Sequence, residues 1–179
     1  MKHVVISALL AVFVIGCGVS DPKTSTMTVN PATAIKVSSL IPYKKGSVIA
    51  ANIKNECSLD SQLSEFIHAY AVGEGIGVIR QNRVSSKAKG KTLIVQITDA
   101  ISQGNAFIGH RKFTRIKGEL YENGKRQAGF TAARLSGGGA WAGFKGSCSV
   151  LGRTVKALGS DVSLWLKHPA DGAHLGDAI

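Results

Sequence analysis

Residues 110–135 set a turn dipeptide between an alternating segment and a returning one, and this pattern restricts the fold more than any other in the chain. From His110 to Glu122, Ile116, Gly118 and Leu120 fall on one side and Arg115, Lys117 and Glu119 on the other. A period of two is the mark of a strand with one buried face. Asn123-Gly124 follows, the preferred pair for a type I′ turn, whose two central residues both need positive φ. Gln127 to Leu135 then return as the partner strand. Small residues crowd it (Ala128, Gly129, Ala132, Ala133), so another element must pack close against it.

The remaining segments sort around this hairpin. Ser47 to Lys54 read as a buried strand, Ile76 to Gln81 as a second and Thr92 to Ile101 as a third. Leu59, Leu63, Phe66, Ile67 and Tyr70 fall at helical spacing, with Ser58 as a candidate N-cap and Gly73 and Gly75 as stop signals. Cys148, Leu151, Val155, Leu158, Val162 and Trp165 recur at intervals of three and four, the stripe of an amphipathic helix that Pro169 cannot continue. The predicted fold is a single α+β domain over residues 46–168. It has about five strands in a mixed or mostly antiparallel sheet and two helices on one face. Residues 17–45, rich in Ser, Thr, Pro and Lys, read as a flexible tether, with a weak edge strand at Thr33 to Val37. Residues 169–179 read as a disordered tail.

The first 17 residues read as an address. Lys2 precedes the apolar stretch Val4 to Ile15, a suitable length for a signal segment and too short to span a bilayer as a helix. Val14-Ile15-Gly16-Cys17 resembles the bacterial lipobox, whose cysteine is lipidated and becomes the mature N-terminus. That resemblance implies a signal peptide over residues 1–16 and a lipid anchor at Cys17 that holds the domain on a membrane. Gly18, in place of Asp, implies the outer membrane by analogy with enterobacterial sorting.

Removing residues 1–16 takes away Lys2 and no acid, so the net charge falls from +11 to +10. A basic cytosolic domain suggests nucleic acid. The export signal argues against that partner. It favours an anionic envelope polymer, lipid headgroups or an acidic envelope protein, with plain solubility as the alternative. Two cysteines remain in an oxidising compartment, Cys57 and Cys148. They read as a disulfide between two helix starts, against the alternative of two buried thiols.

The segments Asn55-Glu56-Cys57-Ser58-Leu59 and Gly146-Ser147-Cys148-Ser149-Val150-Leu151, with the glycine-rich loop before the second, carry a wider resemblance. They resemble uncharacterised bacterial lipoproteins grouped as domains of unknown function. Those are similar in architecture to the outer-membrane activator of penicillin-binding proteins and to the N-terminal domain of the Tol–Pal translocation protein. The resemblance implies a non-enzymatic, envelope-facing binding domain and assigns no catalytic residue.

The chemistry-bearing motifs are sparse. Gly73-Glu74-Gly75-Ile76-Gly77 follows a predicted helix and precedes a strand, the reverse of a dinucleotide-binding turn. Gly90-Lys91-Thr92 lacks the earlier glycine of a phosphate-binding loop and also leads into a strand. His168, Asp171 and His174 flank Pro169 and Gly172, which oppose the helix a metal site of that spacing needs. No catalytic residue, metal or cofactor is expected. Arg80, Arg83, Lys87, Lys89 and Lys91 form a cation run with no acid among residues 76–98; it reads as a solvated loop or as a binding site for anions. A second group is His110, Arg111, Lys112, Arg115 and Lys117, on what reads as a neighbouring strand end. Trp141, Phe144 and Lys145 in the glycine-rich loop are candidate contacts for a partner, against the alternative of a plain linker. The expected function is an outer-membrane lipoprotein serving as a binding or scaffold domain. A cell-wall enzyme and a purely structural lipoprotein are the competing readings.

Overall fold

The alternation around Asn123-Gly124 builds the hairpin it predicts. In the computed structural model, which describes residues 29–31, 33–105, 109–137 and 146–178, both turn residues take positive φ, 50° and 83°. They join β4 (Gly109–Glu122) to β5 (Lys125–Ser136), with Glu122 opposite Lys125. On the other side β4 pairs antiparallel with β3 (Lys91–Asn105), with one bulge between Ile97 and Asp99. The mixed sheet has six strands in the order β2-β1-β3-β4-β5-β6. β1 (Ile35–Ser38) lies between β2 (Val78–Gln81) and β3, parallel to both, and β6 (Ala173–Gly176) runs parallel to β5.

One face of the sheet carries the helices. α1 (Ala51–Glu56) and α2 (Leu59–Gly73) cross from β1 to β2, and α3 (Ser147–Lys167) packs against α2 and over β4 and β5. Leu93, Ile97, Ile116 and Phe130 meet Leu63, Ile67, Leu151, Val155 and Leu158 in one core. The Phe130 ring occupies the space a side chain on Gly118 would need and meets Trp165 edge-on at 4.7 Å. This close approach explains the glycine at position 118 of β4. No helix among the described residues is long and apolar enough to cross a membrane.

Four expectations are corrected. Residues 30–45 are not all tether: β1 is an inner strand, and Val37 and Ile41 are completely buried, so the folded unit begins well before Gly46. Ser47 to Lys54 do not form a strand. Ile49, Ile53 and Cys57 are spaced by four and are buried together as α1 forms. Ser58 does not cap α2 through its side chain; it sits in the left-handed region at φ 47°, and its carbonyl accepts from Ser61 Oγ at 3.1 Å. Residues 169–178 are not a disordered tail. β6 pairs with β5, Trp165 Nε1 donates to the Ala170 carbonyl at 3.0 Å, and Arg126 holds Asp171 through two bonds of 3.0 and 2.6 Å.

The cysteines do pair. Cys57 follows α1 and Cys148 lies in the first turn of α3, bonded across 91 positions of sequence.

Candidate binding surface

The cation run of residues 80–91 divides between the two faces of the sheet. Arg80 lies on β2 opposite Val37, which is wholly buried, so it shares the helix side with Val78. Its Nε donates to Ser64 Oγ at 3.0 Å, and Ser64 Oγ donates to the Ser38 carbonyl at 2.6 Å. Arg80 therefore ties α2 to β1 and is removed from the candidate binding set. This was legible in sequence, because a residue two positions from Val78 on a strand shares its face.

Arg83, Lys87 and Lys89 are exposed on the loop from β2 to β3, and Lys91 opens β3. The loop is held by its own main chain. Gly90 N donates to Asn123 Oδ1 at 2.9 Å and Asn123 N donates to the Gly90 carbonyl at 3.0 Å. Lys87 N donates to Ser85 Oγ at 3.2 Å, and Lys36 Nζ donates to the Lys89 carbonyl at 3.0 Å. Gly90 takes φ +79°, a conformation that favours glycine. The hairpin turn thus clamps the loop at Gly90, between Lys89 and Lys91. Among the described residues none of Arg83, Lys87, Lys89 and Lys91 is ion-paired. Beside the loop, Leu40, Pro42, Val84 and Ile94 line a shallow cavity of about 360 Å³ that Arg83 borders.

The second cation group also divides. Lys112 alternates with Thr114 and Ile116 and points into the helix side, where it is 1% exposed. Its Nζ donates to Ser102 Oγ at 2.6 Å, and Ser102 Oγ donates to Ser147 Oγ at 3.1 Å, at the start of α3. Burial lowers its pKa. It is no part of a charged surface. Arg111, Arg115 and Lys117 point to the open face. The two cation groups do not sit at one strand end. Lys91 pairs with Glu122 and Lys117 with Gln96, so they are separated by about 17 Å along β4.

The sequence reading overlooked an apolar row on that open face. Ile101, Phe113 and Leu135 stand opposite one another in register across β3, β4 and β5. Ile101 is 37% and Leu135 46% exposed. The Arg115 guanidinium lies 5.1 Å from the Phe113 ring centroid and 3.6 Å from the Asp99 carboxylate. The signal was present: Phe113 shares its parity with Arg111, Arg115 and Lys117.

Cys17, Trp141, Phe144 and Lys145 lie outside the described residues. The Asp171 carboxylate, considered above with His168 and His174, is engaged by Arg126, whose hydrogen bonds hold it below the ordinary aspartate range.

No family model matches this chain, and no curated protein gives a significant match. Solved structures do match over most of its length. A minor lipoprotein from Acinetobacter baumannii is 10% identical, covering 73% of this chain and 91% of its own, with a TM-score of 0.40. A Xanthomonas campestris protein of the DUF330 family is 15% identical over 80% of this chain and 91% of its own, with a TM-score of 0.49. PelC from Paraburkholderia phytofirmans, solved as a dodecamer, is 14% identical over 76% of this chain and 93% of its own, with a TM-score of 0.44. Likenesses of this degree assign the chain neither a family nor an activity.

Proposed function

We propose that this chain is a lipid-anchored envelope protein whose domain binds an anionic envelope component or an acidic envelope protein, without catalysis of its own. One observation carries the reading. Arg83, Lys87 and Lys89 project from a loop that the hairpin turn holds at Gly90, and none is neutralised by an acid among the described residues. A support of this kind lowers the conformational cost of presenting several charges together. The anchor is Cys17, and the location is the periplasmic face of the outer membrane. The architecture of the penicillin-binding-protein activator and of the Tol–Pal domain fits this role. The export route argues against nucleic acid as the partner.

The test replaces Arg83, Lys87 and Lys89 by Gln and measures binding to lipopolysaccharide and to wall fragments at two salt concentrations. Each cation near an anionic surface contributes about 1 kcal/mol. The triple variant should therefore lose up to about 3 kcal/mol of binding, with an unchanged melting temperature. Wild-type binding should weaken as salt rises, because screening shortens the reach of these charges to about 8 Å at physiological ionic strength. Salt-insensitive binding that the variant retains in full would reject the reading.

A further inference from the structure

We propose that the open face of the sheet is a membrane-contact surface that seats on anionic lipid headgroups through the row Ile101–Phe113–Leu135 and the cations Arg111, Arg115 and Lys117. The inference rests on the envelope setting proposed above, and it uses a different part of the molecule from the cation loop.

Four observations converge. The first is chemical alternation: on β4, the outward residues from Arg111 onward are Arg111, Phe113, Arg115 and Lys117, followed by Glu119 and Tyr121, so cations bracket an aromatic ring on one line. The second is register. Ile101 and Leu135 flank Phe113 on the neighbouring strands and widen the aromatic position into an apolar band across three strands. A soluble domain has no folding reason to expose such a band beside the sheet's charged row, because the core lies on the opposite face. The third is charge. Arg115 is paired with Asp99, Glu119 follows Lys117 on the row and the Asp177 carboxylate accepts from Leu135 N at the sheet edge, but among the described residues Arg111 and Lys117 have no ion pair. Arg115 lies over Phe113, which keeps the guanidinium at the edge of the apolar band.

The fourth is geometry. A strand face is nearly flat, and the line from Arg111 to Lys117 spans about 20 Å. A plane fits it better than a pocket-bound ligand does. Apolar side chains entering the headgroup boundary, with cations on phosphates around them, is the pattern of interfacial binding. The same face carries the clamped loop at its other end, where outward-facing Lys36 reaches the Lys89 carbonyl.

The test uses the full-length protein on two kinds of vesicle: phosphatidylcholine alone, and phosphatidylcholine with phosphatidylglycerol. Both contain acyl chains brominated near the headgroup. Leu135→Trp supplies a fluorescent probe in the band, and Ile101→Trp supplies a second in case the first disturbs packing. Anchoring through the N-terminal segment is common to both vesicles, so it cancels in the comparison. The added tryptophan, read against the parent protein, should be quenched on anionic vesicles and not on neutral ones, and high salt should reverse the effect. Replacing Arg111, Arg115 and Lys117 by Gln should weaken the effect about five-fold per cation. Asp99→Asn should strengthen it several-fold, which a structural role for the ion pair does not predict.

Failure of the earlier reading looks different. Unchanged polymer binding by the Arg83, Lys87 and Lys89 variant, with band quenching intact, would remove that reading and leave this one. Added tryptophans that are unquenched on anionic vesicles, or equally quenched on neutral ones, would overturn the membrane-contact surface. Protection of the band only by a soluble envelope protein would overturn it as well.

Discussion

Two glycines of α3 should respond in opposite directions to the same change. Gly159 is buried where α3 crosses α2. A Cβ placed there would lie 2.5 Å from Phe66 Cβ, 2.9 Å from the Phe66 carbonyl carbon and 3.1 Å from Ile67 N. Two of these three atoms are backbone, so relief requires α2 itself to move. Gly→Ala within a helix gains about 1 kcal/mol from backbone entropy. Overpacking costs about 1–3 kcal/mol, and a backbone obstacle places this site at the upper end. The net expectation for Gly159→Ala is a loss of about 1–2 kcal/mol, or a melting temperature lower by about 2–8 °C for a domain of this size. Gly152 is the control two turns earlier. A Cβ there meets only Gln62 Oε1, at 3.0 Å, the mobile end of a side chain whose Nε2 donates to the Cys57 carbonyl at 2.8 Å. Loosening that bond costs about as much as the helix gains, so Gly152→Ala should lie between neutral and about 1 kcal/mol more stable. Urea unfolding with the disulfide intact, supported by thermal melts, measures both. If Gly159→Ala proves as stable as Gly152→Ala, the close helix crossing is not as described and the reasoning fails.

Three further outcomes can be checked. Replacing Cys57 and Cys148 together by Ala releases a cross-link across 91 positions and should cost about 4–5 kcal/mol in the chain-entropy model, seen as a lower urea midpoint; an unchanged midpoint would refute it. Cys17→Ser should release the protein from membranes and block processing at that site; a membrane-bound variant of unchanged mature mass would count against the anchor. The Asp171 pKa is depressed by Arg126, so its contribution to docking β6 is present above the ordinary aspartate range, about 3.9, and is lost as pH falls through the lowered value. Amide exchange in residues 173–176 should rise on acidification before the core opens, and Arg126→Gln should abolish that pH dependence while leaving exchange in β3 unchanged.

The sequence disclosed elements wherever a period ran long enough to be counted. β4 alternates over more than ten residues and α3 repeats its apolar stripe through about five turns, so each was readable with its buried side, and β5 was readable from the turn that precedes it. β1 and β6 have four residues each, less than the length over which alternation separates from chance. Their stability comes from partners distant in sequence: β1 from Val78 and Leu93 on its two sides, β6 from Arg126 and from Asp177, whose carboxylate accepts from Leu135 N at 2.8 Å. The segment Ser47–Lys54 misled because its apolar residues are β-branched, whereas Ile49, Ile53 and Cys57 already carried a spacing of four. For the candidate surface, composition found the cations and parity decided which of them face outward. Arg80 and Lys112 each lie two positions from a buried residue, and that count separates them from Arg83 and Arg115 without coordinates.

The placement of β1 has a mechanical consequence. Any pull on the N-terminal segment reaches the domain through residues 33–35 and then runs along the axis of β1. Both neighbours of β1 are parallel to it, and Ile35 N, Lys36 and Val37 are bonded across the two gaps. Load along the strand strains these bonds together, in shear. Load on an edge hairpin would open them one at a time. A protein held at one end by its N-terminal segment and at the other by a partner would thus transmit force through the inner strands of its sheet.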